Sequence, residues 1–130
     1  MQPEEISAEL LAMYGETVVE IFLDGETLSY QELHAIWKCD FYMITAANPY
    51  SQLLTDEENK ARNQSLHVEL SNISELILPA IGRDQSSDWS EHGWVLPSRD
   101  PSPLIDLARK FQQNAIFKFS EGGKQVISCL

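Results

Sequence analysis

The sequence predicts an α+β fold: one compact domain over residues 1–130, with a mixed or antiparallel sheet of about five strands and helices packed on it. Three observations carry this. A length of 130 residues suits one hydrophobic core and is short for two. Helix-like and strand-like runs alternate only in part along the chain. The last two strand-like runs, AIFKF (115–119) and QVISCL (125–130), flank a turn at Gly122-Gly123 that is too short for a parallel crossover.

The elements follow in order. Residues 4–14 have helix-forming composition, with Ile6, Leu10, Leu11 and Tyr14 near helical spacing and Gly15 ending the run. TVVEIFL (17–23) is β-branched and apolar and stops at Asp24-Gly25, which predicts a strand and then a turn. Ser29-x-x-Glu32 is a capping box with Leu28 and Leu33 at staple positions, opening a short helix from about Tyr30 to Trp37. FYMITAA (41–47) is apolar on both alternating faces, as in a strand covered on both sides, and is read as the central strand. It runs into a turn at Asn48-Pro49-Tyr50-Ser51. Thr55-x-x-Glu58 is a second capping box, for a helix to about Leu70. LILPAIG (76–82) and EHGWVLP (91–97) read as strands around a polar loop. Asp100 or Ser102 then caps a helix whose inward stripe is Leu104, Leu107, Ala108 and Phe111.

Composition bounds the function. Apolar residues make up 43% and charged residues 22%, as in soluble globular proteins, and no run approaches the roughly 18 apolar residues that a bilayer span needs. No membrane association is expected. The opening MQPEEISAEL carries acids where a secretory signal carries Lys or Arg, so a cytoplasmic location is expected. Cys39 and Cys129 are isolated and read as buried thiols rather than a disulfide framework. A net charge of −11 argues against direct nucleic-acid binding, which depends on Lys and Arg. That charge is uneven: residues 1–40, an acidic N-terminal third, hold nine acids against Lys38 alone, and the other 90 residues hold eleven acids and eight bases. The acidic third is either a solvated face or a docking surface for a basic protein partner.

Chemistry concentrates after residue 55. At helical pitch Asn59, Arg62, Asn63, Leu66, Leu70 and Ile73 share one stripe, an apolar face with a polar head. A buried carboxamide needs partners, so Asn59 and Asn63 either tie the helix to the 48–51 turn or line a ligand pocket.

The series ITAANPYS, ENKARNQSL, IGRD, W-x-E and QQNAIF resembles the bacterial family of domain of unknown function 3293, over a motif-bearing core of about 41–119. Tyr14 and Thr17 extend the likeness. The resemblance implies a bacterial origin, one compact domain and motif positions at Thr45, Asn48, Pro49, Ser51, Asn59, Arg62, Asn63, Gly82, Asp84, Trp89, Glu91, Gln113, Asn114 and Ala115. It implies no reaction and no catalytic residue.

Placed on the predicted elements, those positions form loops that would make a polar cluster if they met at one sheet edge. A phosphate cradle is disfavoured, because no Gly-rich loop is present and Asp56, Glu57 and Glu58 already occupy a helix N-terminus. Ser or Cys nucleophilic catalysis lacks a spaced histidine, with His34, His67 and His92 in unrelated segments. Asp84, Asp88, Glu91 and His92 fit no specific metal spacing, so neither a metal nor a cofactor is expected. Two readings remain. One is a non-catalytic ligand- or protein-binding or regulatory module, with Asn48, Ser51, Asn59, Arg62, Asn63, Trp89 and Gln113 as binding candidates for a small polar ligand. The other is a small hydrolase or transferase using Asp84 and Glu91 as an acid–base pair, unless Arg62 holds one of them in a plain salt bridge.

Overall fold

The computed structural model of the chain describes residues 12, 14–85 and 87–130. The helix expected over 4–14 therefore lies largely outside the described residues, which include a helical turn at 14–16 leading into the first strand. Strand β1 (Thr17–Leu23) turns back into β2 (Glu26–Leu28) through Asp24 and Gly25. Both turn residues have positive φ, 50° and 81°, the backbone that a two-residue hairpin turn demands. Helix α1 (Tyr30–Trp37) opens on the Ser29–Glu32 capping box, both of its hydrogen bonds being formed. Then come β3 (Phe41–Ile44), a single 3-10 turn at Pro49–Ser51, and helix α2 (Asp56–Leu70) on the Thr55–Glu58 capping box. Strands β4 (Leu78–Asp84) and β5 (Ser90–Pro97) form a hairpin. Helix α3 (Ser102–Lys110) begins where Asp100 Oδ1 accepts from the Ser102 N–H, and β6 (Ala115–Ser120) and β7 (Gly123–Ser128) close the chain as a second long hairpin.

The described strands join one sheet in the order β2-β1-β4-β5-β3-β6-β7, and every neighbouring pair is antiparallel. Among the described residues the sheet thus has seven strands rather than about five. Strand β2 is the one the sequence did not offer, because three residues carry no periodic signal and owe their place to the turn before them. Strand β3 is interior but not central: β5 takes the middle, and β3 lies between β5 and β6. Its apolar run also leaves the sheet after Ile44, so residues 45–47 are loop, with Ala46 and Ala47 buried rather than paired in the sheet.

The pleat sorts the core onto two faces. Val19, Ile21, Ala80, Val95, Phe41, Met43 and Phe119 point to one, covered by Leu33 and the aromatic rings of α1. Phe41 and Phe119 stack there with ring centres 5.0 Å apart. Tyr42, Ile44, Leu96 and Ile116 point to the other, under Leu66 and Leu70 of α2 and Leu104 and Ala108 of α3. Each Val, Leu, Ile, Phe or Met side chain among these, fully buried, is worth about 1.5–3 kcal/mol. Gly93 is needed where β5 crosses β3, since a Cβ there would sit 2.7 Å from the Ile44 carbonyl oxygen. Cys129 is buried, its thiol pushed up to about 11 by burial, whereas Cys39 is exposed and corrects the expectation that both are interior. It follows Lys38, whose left-handed backbone ends α1 and turns the chain outward before β3.

Candidate functional site

One end of the sheet gathers the start of β1, the end of β4 and the starts of β5 and β6 around the end of β3. Past Ile44 the backbone has no ladder, so its polar groups must find partners elsewhere. Helix α2 supplies them. The Asn63 carboxamide oxygen accepts from the Ala46 N–H at 2.8 Å, and the Asn59 oxygen accepts from the Asn48 N–H at 2.9 Å. Asn63 Nδ2 donates to the His92 carbonyl at 3.0 Å, which fastens the same helix turn to β5. Arg62 donates from Nε to the Ala46 carbonyl and from its terminal nitrogen to the Phe111 carbonyl.

Asn48 is the junction of this network. Its Oδ1 accepts from the Leu54 N–H at 3.0 Å and from Asn59 Nδ2 at 2.9 Å, which fixes the amide orientation. Its Nδ2 must then face Glu91, and it donates to Oε2 of that carboxylate at 2.9 Å. The loop is held in sparsely populated backbone: Asn48, Tyr50 and Ser51 have φ of 47°, 47° and 64°. The chain after α3 clamps it. The Tyr50 N–H donates to the Gln112 carbonyl, Gln113 Nε2 to the Ala47 carbonyl at 2.9 Å, and Asn114 Nδ2 to Ser51 Oγ at 3.0 Å.

Beside this junction, on the face that α1 covers, lies a partly open pocket enclosing about 450 Å³, open solvent at its mouth included. Met43, Gly82, Ala115, Phe117 and the Trp89 indole give it an apolar lining. Tyr14, Thr17, Thr45, Glu91 and Gln113 give it polar groups. Gly82 matters because a Cβ there would lie 3.2 Å from Thr17 Cγ2 and 3.9 Å from Met43 Cε. Burial raises the Glu91 carboxyl above its ordinary value, with the Asn48 hydrogen bond opposing it. Burial likewise raises the Tyr14 phenol, against the hydrogen bond from Asn114. Lys124 of β7 donates to the Tyr14 carbonyl at 2.9 Å and to the Thr17 carbonyl, with its ammonium 4.8 Å from the centre of the Phe117 ring.

The candidates from sequence divide accordingly. Glu91, Trp89 and Gln113 line the pocket; Asn48 touches it through Glu91; Ser51 joins through Asn114. Asn59, Arg62 and Asn63 stand behind the loop and hold it. Arg62 bonds backbone carbonyls rather than forming a salt bridge with Asp84 or Glu91. Asp84 is outside the lining and accepts from Ser87 Oγ at 2.8 Å, so the two acids do not form a shared pair in the pocket. Among the described residues no three His, Cys, Asp or Glu side chains are placed to share a metal ion, and no described helix is long and apolar enough to cross a membrane. The sequence reading missed Met43, Phe117 and Lys124 at the site; the alternation of Ala115, Phe117 and Phe119 along β6 was the available signal for Phe117.

Two outcomes follow. Asn63→Leu strands the Ala46 N–H and leaves the His92 carbonyl only its Thr45 Oγ1 donor, and should cost about 1–3 kcal/mol in chemical denaturation; a variant as stable as the parent would remove the argument. Glu91→Gln tests the raised carboxyl. Because the folded state holds the Glu91 proton more tightly than the unfolded chain, the associated stability is present below the ordinary value of 4.5 and is lost as pH rises through the raised one. Relative to the parent, the variant should therefore gain stability as pH climbs through that window, and a pH-independent difference in melting temperature would contradict this.

The family model described as "Protein of unknown function (DUF3293)" matches residues 44–116. That span starts at the last residue of β3 and ends within β6, taking in the Asn48 junction, all of α2 and Glu91. No curated protein and no solved structure matches the chain. With more than half its length matched, and with the matched residues building one end of the sheet, the chain belongs to the DUF3293 family.

Proposed function

We propose that this domain is a non-catalytic binding or regulatory module that takes a small polar molecule in the pocket beside Tyr14 and Glu91. One observation carries the reading. Glu91 brings a half-buried carboxylate to the pocket with one protein hydrogen bond among the described residues, from Asn48, although burial makes its charge costly. A ligand would complete it. The strained 48–51 loop beside it supports the same reading, since such backbone collects at ligand sites. Catalysis is the second reading, and the raised carboxyl of Glu91 favours it, while the position of Asp84 outside the pocket deprives it of the expected partner.

The setting proposed is the bacterial cytoplasm, supported by the family resemblance and by two cysteines that are both free thiols. Residues 1–40, with nine acids against one Lys, are proposed to dock a basic protein. Its capture in pull-downs should fade as the Debye length falls from about 10 Å at 0.1 M salt to about 3 Å at 1 M; salt-insensitive capture would contradict it.

A thermal-shift screen with small polar metabolites tests the pocket. At a ligand concentration about 100 times Kd the parent should gain about 2.7 kcal/mol, and Ala115→Leu, which fills the lining, should lose the shift while keeping its own melting temperature. No shift from any class, or one indifferent to Ala115→Leu, would refute the binding reading. Turnover of a bound compound that falls roughly 10²–10⁴-fold in Glu91→Gln would replace it with the catalytic one.

A further inference from the structure

Resting on the binding reading, we infer that the ligand is a small planar organic cation of the amidinium or guanidinium class, received by Glu91 between aromatic rings. The hydrogen-bond inventory of the site leads there. Its side-chain amide donors are spent, Asn48 Nδ2 on Glu91 and Gln113 Nε2 on the Ala47 and Phe111 carbonyls, and Thr45 Oγ1 goes to the His92 carbonyl; the Tyr14 hydroxyl and the Trp89 indole N–H also line the pocket, and both are uncharged. Asn114 Nδ2 is committed to Ser51 and Tyr14. The two cations beside the site are spent as well, Arg62 on the Ala46 and Phe111 carbonyls and Lys124 on those of Tyr14 and Thr17. Among the described residues no Lys or Arg lines the pocket. Acceptors remain: Glu91 Oε1, since Oε2 already takes the Asn48 proton, and Gln113 Oε1.

A carboxylate or phosphate entering this pocket would face the Glu91 charge with no cation in the described lining to meet its own. A cation with several N–H groups meets both acceptors, and a carboxylate with a forked planar cation gives the strongest such pair. The rings of Tyr14, Trp89 and Phe117 line the space, and Phe117 already carries the Lys124 ammonium over its face.

Isothermal titration of the full chain with benzamidine, benzamide and benzoate separates cation, neutral and anion at nearly constant shape. Benzamidine should bind about tenfold or more tighter than benzamide, with benzoate weakest. Glu91→Gln should erase that order. Should the variant fail to fold, a pH series on the parent reads the same charge: the advantage of benzamidine should shrink as Glu91 is protonated. Benzamide or benzoate binding as tightly as benzamidine overturns the inference, and so does silence from all three. If the tighter benzamide or benzoate is lost in Ala115→Leu, the pocket stands as a binding site and only its cation preference falls.

Discussion

The structure depends on what happens to two peptide N–H groups just past the end of β3. Ala46 and Asn48 lie beyond the last ladder pair, buried, and both are answered by carboxamide oxygens one helical turn apart on α2. An unanswered buried N–H costs about 1–3 kcal/mol, so this pairing fixes the rotation of α2, and Leu66 and Leu70 on the same stripe then fall onto the sheet. The same constraint reaches outward. Asn59 orients the Asn48 amide, that amide can only donate toward β5, and Glu91 is the acceptor it finds. Placement of a half-buried carboxylate at a pocket is thus a consequence of how a strand end is capped.

Much of the fold was legible because its signals are local. The two capping boxes depend on residues three apart, and both helices start where those residues say. The Asp24-Gly25 turn and the β6–β7 hairpin are likewise written in adjacent residues. The stripe of Asn59, Asn63, Leu66 and Leu70 predicts a helix face with a polar head, and its two carboxamides tie the helix to the preceding chain at Asn48 and Ala46. Where the reading erred, the deciding contacts were remote. A salt bridge from Arg62 to an acid is the pairing a sequence suggests, because charge is visible there and carbonyl oxygens are not, yet its partners are the Ala46 and Phe111 carbonyls, the latter 49 positions away. Asp84 and Glu91 look alike in a loop-bounded run, but only Glu91 lines the pocket.

Site and scaffold also differ in how they treat polar groups. Around the loop nearly every donor is matched inside the protein, and no buried side-chain nitrogen or oxygen among the described residues lacks a partner. The pocket keeps the opposite balance, with acceptor capacity left on Glu91 and Gln113 beside aromatic rings. Three non-glycine residues in left-handed backbone stay in place beside it because side chains and carbonyls from α2, β5 and the chain after α3 all grip the same loop. On the proposed binding reading, a loop held this way would keep the pocket formed beforehand and lower the ordering cost of binding.

The most direct measurement is a carbon-detected NMR titration of the Glu91 side-chain carboxyl in the parent protein and in Asn48→Ala. The account predicts a midpoint above the ordinary 4.5 in the parent and a higher one in the variant, because the Asn48 N–H is the donor that opposes burial. A Glu91 that titrates at or below the ordinary value in the parent would contradict the account at its centre.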